Sequence, residues 1–128
     1  MDMTPPRPTD AELSILRVLW TRGPSTVRQV LETLAGERGT GYTTVLKLLQ
    51  IMTEKGLVAR DESDRTHVYH ARYGEADTQR QLVDDLLDRA FGGSAMQLVM
   101  SALSSRKTSR KELAEIRRLI EEREGGSR

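Results

Sequence analysis

Apolar residues recur over the first 55 positions at intervals of three and four, the period of helices that bury one face. Leu13, Leu16, Val18, Leu19 and Trp20 hold that spacing, and Leu16, Leu19 and Trp20 form the face expected to be buried. Thr9 and Glu12 make a Thr-x-x-Glu capping box just after Pro8, and Arg22-Gly23-Pro24 stops the run. A second helix is expected from Ser25, read as its N-cap. It carries Val27, Val30, Leu31 and Leu34 and ends in the glycine-rich stretch Gly36–Gly41. A third runs from Tyr42 to Lys55 with Val45, Leu48, Leu49 and Met52 turned inward, and Gly56 is its expected left-handed closing residue.

After Gly56 the pattern changes to two short β-prone runs, Leu57–Arg60 and Thr66–Ala71. The polar segment Asp61–Arg65 between them reads as a hairpin tip. Helical periodicity returns at Glu75. Leu82, Val83, Leu86, Leu87 and Ala90 lie on one stripe that stops at Gly92-Gly93. Ala95–Leu103 is short and nearly all apolar. Ser109 and Glu112 then cap a last helix carrying Leu113, Ile116, Leu119 and Ile120, with fraying expected from Gly125 to Arg128.

These elements predict a mainly α chain in two parts: a winged helix-turn-helix over residues 1–73 and a three-helix region over 74–128. A segment of about 55 residues rarely builds an independent core, and this one offers more apolar surface than its helices can bury among themselves. Pairing of two copies answers that excess; folding back onto the chain's own winged helix is the alternative. The residues expected to form a dimer face are Leu82, Leu86, Phe91, Met96, Val99, Met100, Leu103, Leu113, Ile116, Leu119 and Ile120.

Composition narrows the chemistry. The absence of Cys excludes thiolate metal sites, disulfides and cysteine nucleophiles. No targeting segment or membrane-length apolar run is present, so a cytoplasmic location is expected. His67 and His70 fall on opposite faces of a strand, which disfavours a shared metal. The run Asp84-Asp85-Leu86-Leu87-Asp88 reads as the polar side of an amphipathic helix rather than a carboxylate metal site. With no phosphate-binding glycine loop and no nucleophile motif, neither catalysis nor a cofactor is expected.

A net charge of +1 neither demands nor forbids nucleic acid, because clustering of the basic groups is what matters. In a helix-turn-helix the second helix of the pair enters the major groove. Here Thr43, Thr44, Leu46, Lys47, Gln50, Thr53 and Glu54 would face outward. Thr, Gln and Lys can bond base edges or phosphate, and the free N–H groups at the helix start can seat a phosphate. Leu46 is either a thymine-methyl contact or partly packed, and Glu54, near the far end, is given no DNA role. Arg28, Arg60, Arg65 and His67 are candidates over the phosphate backbone. Against them, Asp61, Glu62 and Asp64 leave a merely solvated hairpin open, and Arg28 has an ordinary surface reading. The full DNA-contacting set is Arg28, Tyr42, Thr43, Thr44, Leu46, Lys47, Gln50, Arg60, Arg65 and His67.

Several segments resemble the penicillinase-repressor (BlaI/MecI/CopY) family of bacterial winged-helix repressors. They are Thr9–Leu16 with Leu19-Trp20, Tyr42–Val45 through Leu48-Leu49 to Lys55–Val58, and His67–Tyr69. Leu87–Ser94 and Leu113–Ile120 complete the match, which covers nearly the whole chain. The resemblance implies a homodimer on an inverted-repeat operator of double-stranded DNA, joined through its C-terminal helices. It also implies, for some members, a sensor-controlled metalloprotease whose cleavage of the tail separates the dimer; other members sense copper through C-terminal cysteines. The lack of Cys removes the copper mode, and Gln97–Ser104 lacks the Asn-Phe pair associated with cleavage. A winged helix used for protein–protein contact, its acidic wing facing a partner, is the competing function.

Overall fold

Thr9 opens the first helix, α1 (Asp10–Arg22), with the reciprocal cap its sequence predicts. The Glu12 N–H donates to Thr9 Oγ1 at 3.2 Å, and the Thr9 N–H donates to Glu12 Oε1 at 2.9 Å. Such a cap contributes about 1 kcal/mol by satisfying N–H groups the helix cannot. The computed structural model describes residues 5–34, 41–105 and 107–126. Residues 36–40 of the glycine-rich stretch expected to end the second helix lie outside the described residues.

Helix α2 (Val27–Leu34) starts one residue later than Ser25 predicts. Thr26 is the capping residue: its Oγ1 accepts the Gln29 N–H at 3.1 Å, and its own N–H donates to Gln29 Oε1 at 2.9 Å. Ser25 is instead buried in an isolated antiparallel bridge to Tyr69. The Ser25 N–H donates to the Tyr69 carbonyl at 2.9 Å, and the Tyr69 N–H donates back to the Ser25 carbonyl at 2.8 Å. An extended residue paired in this way ties the start of α2 to the hairpin, and the Thr-x-x-Gln box does the capping.

Helix α3 spans Tyr42–Lys55, the predicted bounds. Gly56 ends it at φ 84°, ψ 16°, a left-handed conformation that disfavours any residue with a Cβ. Strands β1 (Val58–Asp61) and β2 (Val68–Ala71) pair antiparallel, with Arg60 opposite Tyr69 and Asp61 opposite Val68. Three helices and a hairpin therefore enclose one core of Ile15, Leu16, Leu19, Val30, Val45, Leu49, Met52, Leu57, Val58 and Tyr69. Each such apolar side chain contributes about 1.5–3 kcal/mol relative to exposure. Leu48 and Trp20, both expected inside, are only half-buried and pack against this cluster. For Trp20 the reason is polar: its indole N–H reaches out to the Tyr73 carbonyl at 3.0 Å.

Helix α4 (Glu75–Ala90) follows, then α5 (Ala95–Ser105) and α6 (Arg110–Gly126). The chain forms two compact units divided between Asp84 and Asp85, beyond the boundary after residue 73 that the pattern suggests. The first half of α4 belongs with the winged helix because Thr78 is buried and Gln81 Nε2 donates to the Pro5 carbonyl. Helix α4 closes through the Gly93 N–H, which donates to the Leu87 carbonyl at 2.8 Å. Ser109 Oγ accepts the Glu112 N–H at 3.0 Å and starts α6. That helix persists through Gly126, where fraying was expected from Gly125; residues 127–128 lie outside the described residues. No residue of α5 or α6 is buried.

Candidate nucleic-acid interface

Anchoring Val45, Leu49 and Met52 in the core fixes the rotation of α3. At about 100° per residue this turns Thr43, Thr44, Lys47 and Gln50 to solvent, and all four are exposed. Thr53 does not join them; its hydroxyl donates to the Leu49 carbonyl at 2.7 Å. Glu54 is exposed near the far end of the helix. The N-cap, Gly41, offers no side-chain hydrogen bond, so the first-turn N–H groups carry the positive end of the helix dipole without a capping oxygen.

Beside this face α2, α3 and the hairpin enclose a cleft of about 450 Å³. Arg28, Tyr42, Leu46, Arg65 and His67 line it together with Thr26, Val27, Thr66 and Tyr69. Leu46 packs against the core and also borders the cleft. The Arg28 guanidinium sits over the Tyr42 ring, 5.8 Å from its centroid. That contact is worth about 0.5–1 kcal/mol at an exposed site and holds a flexible cation at the helix N-terminus.

The two wing arginines differ. Arg60 Nη2 lies 2.9 Å from Glu62 Oε1. A hydrogen bond with the Tyr69 side chain, aided by the charge of Glu62, raises the proton affinity of Arg60 above that of an ordinary guanidinium. Arg65 is exposed and makes no ion pair among the described residues. His67 Nε2 stands 3.9 Å from the same Glu62 oxygen. At the tip the Ser63 N–H donates to Asp61 Oδ1 at 3.0 Å, and this backbone bond lowers the carboxyl's pKa. In α4, Asp85 lies 3.4 Å from Arg89 while Asp84 and Asp88 are exposed, the layout of a solvated helix face.

Sequence reasoning missed the cleft as a unit. Thr26, Val27, Thr66 and Tyr69 carry no spacing signal that joins them to α3, and the Arg28–Tyr42 contact links separate helices. The residues named for the tail are distributed between two states of burial. Leu86, Met96, Val99, Met100, Leu103, Leu113, Leu119 and Ile120 are exposed in the single chain, and Leu82, Phe91 and Ile116 are half-buried.

Three helices followed by a hairpin whose strand lies against the start of α2 define a winged helix-turn-helix. The penicillinase repressor family model matches residues 8–122. The transcriptional regulator BlaI of Mycobacterium tuberculosis (strain ATCC 25618 / H37Rv) is 34% identical over 118 residues, covering 91% of this chain and 85% of that protein. The penicillinase repressor of Bacillus licheniformis is 24% identical over 117 residues, 91% of each. Among solved structures, the DNA-binding domain of the repressor BlaI matches with a TM-score of 0.51 at 25% identity, over 60% of this chain and 93% of that one. The monomeric form of Bacillus licheniformis BlaI, in complex with the blaP half-operator, matches at a TM-score of 0.50 and 25% identity, over 57% and 89%. The chain belongs to the penicillinase repressor family, whose named members are transcriptional repressors rather than enzymes.

Proposed function

We propose that this chain represses transcription by binding double-stranded DNA as a homodimer on an inverted-repeat operator, in the cytoplasm. The observation that carries the reading is the exposed row Thr43, Thr44, Lys47 and Gln50 beside a cleft rimmed by Arg28, Arg65 and His67. The row suits base edges in the major groove, and the rim suits the phosphates that flank them. Support for pairing comes from the tail, where apolar side chains on α4, α5 and α6 stand exposed in one copy. Two winged helices held roughly 34–36 Å apart would read two half-sites on one face of the duplex. Operator affinity would then rest on dimer integrity through effective concentration. A signal that parts the tails, such as cleavage of the C-terminal region by a sensor-controlled protease, would release the DNA.

The test uses a duplex recovered from a randomised pool by selection on the full chain. Lys47→Ala and Thr44→Ala should each weaken its binding roughly 5- to 150-fold, the range for a lost base contact, with unchanged circular dichroism. If neither changes binding, the recognition face is wrong. Complete absence of duplex binding at low salt would instead assign the wing to a protein partner.

A further inference from the structure

One face of the hairpin carries a chain of polar contacts that the base-reading row does not use. Arg60 and Tyr69 are cross-strand partners and so share a face. Glu62, two positions beyond Arg60, reaches that guanidinium at 2.9 Å and stands 3.9 Å from His67 Nε2. Tyr69 and His67 also line the cleft between the wing and α3. The Glu62 carboxylate is thus placed between a guanidinium and an imidazole at the edge of the proposed DNA face.

We propose that Glu62 is an intramolecular stand-in for a backbone phosphate, and that by occupying Arg60 it restrains the sequence-independent part of DNA binding. The inference rests on the DNA-binding reading above. A carboxylate and a phosphodiester each present one negative charge and a pair of oxygens to the same guanidinium donors. While Glu62 holds Arg60 Nη2, a phosphate that approaches that nitrogen has to displace the carboxylate. Phosphate contacts carry affinity without sequence information, so this competition leaves binding more dependent on Thr43, Thr44, Lys47 and Gln50. The pair has little to do for the fold: Glu62 is more than half exposed, and exposed ion pairs contribute little to stability.

The experiment measures binding of the selected duplex and of a scrambled duplex across a salt series. Glu62→Gln in the full chain should tighten both by about two- to fivefold at low salt, the scale of one exposed pair. Its salt dependence should steepen by up to roughly 0.9 in the log–log slope, one additional phosphate contact. In an Arg60→Gln background the gain should vanish. Unchanged affinity and slope overturn the proposal, as does a gain that survives loss of Arg60, which would make Glu62 a diffuse repulsive charge. Should the Arg60 variant fail to fold, the slope of Glu62→Gln alone decides. Wild-type protein that binds neither duplex refutes the DNA reading itself, a separate outcome.

Discussion

Lys55 Nζ lies 2.7 Å from Oε1 of Glu12, a carboxylate almost wholly buried, so the last turn of α3 is pinned to the first turn of α1. The same ammonium reaches the Arg7 carbonyl at 3.4 Å, and the same carboxylate oxygen accepts the Thr9 N–H. The helix carrying the exposed row Thr43, Thr44, Lys47 and Gln50 is therefore fixed at its C-terminal end by charge as well as by core packing.

That pair makes stability depend on acid. Burial opposes ionisation of Glu12, but the Lys55 ammonium and the N–H and hydroxyl of Thr9 outweigh it and hold the carboxyl below its ordinary value of 4.5. The folded state thus binds this proton less readily than the unfolded chain. The resulting stability is present above pH 4.5 and is lost as pH falls through the lower folded value. Glu12→Gln should cost about 1–2 kcal/mol in urea melts at neutral pH, and the gap to wild type should narrow toward pH 3. A gap that stays constant would separate Glu12 from the acid response.

Arg28 and Arg65, both at the cleft, should act on affinity without changing sequence preference. Changing either to Ala should lower the log–log salt slope by roughly 0.9 and weaken selected and scrambled duplexes alike. Discrimination that collapses in Arg28→Ala would mean that this side chain reads a base.

A chain ending at Ala90 should keep a folded winged helix, because the buried cluster lies wholly between Ile15 and Tyr69. Sedimentation should show it monomeric, and its binding to a two-half-site duplex should weaken about 10²- to 10⁴-fold as the linked second contact is lost. Met100→Glu and Leu119→Glu, which place charge on exposed apolar positions, should reproduce that loss in the full chain. Undiminished affinity in all three would remove the tail from the mechanism.

Gly56→Ala tests the closing turn of α3. A Cβ there would sit at φ 84° and meet Arg72 Nη1 at 3.3 Å. Thermal unfolding should report a loss of about 1–2 kcal/mol, most of it from the left-handed backbone. A neutral result would show that the turn relaxes out of that conformation.

Much of this protein is local, and what is local was legible in the sequence. The bounds of α3, its inward Val45, Leu49 and Met52, the Thr9–Glu12 cap and the Gly56 stop follow from interactions three or four residues apart. The apolar surplus of the tail was equally plain, since it is a matter of composition along three helices. Ser25 does not cap α2 because its partner, Tyr69, lies in a distant strand, and backbone pairing outranks a good capping side chain. The contact of Gln81 with Pro5, at the other end of its unit, is likewise beyond the reach of local spacing. Only tertiary packing could set Arg28 over Tyr42 and gather the cleft from three elements. Periodicity records which side of an element is buried; which charges then meet depends on how the elements cross, and that is decided by the shape of the core.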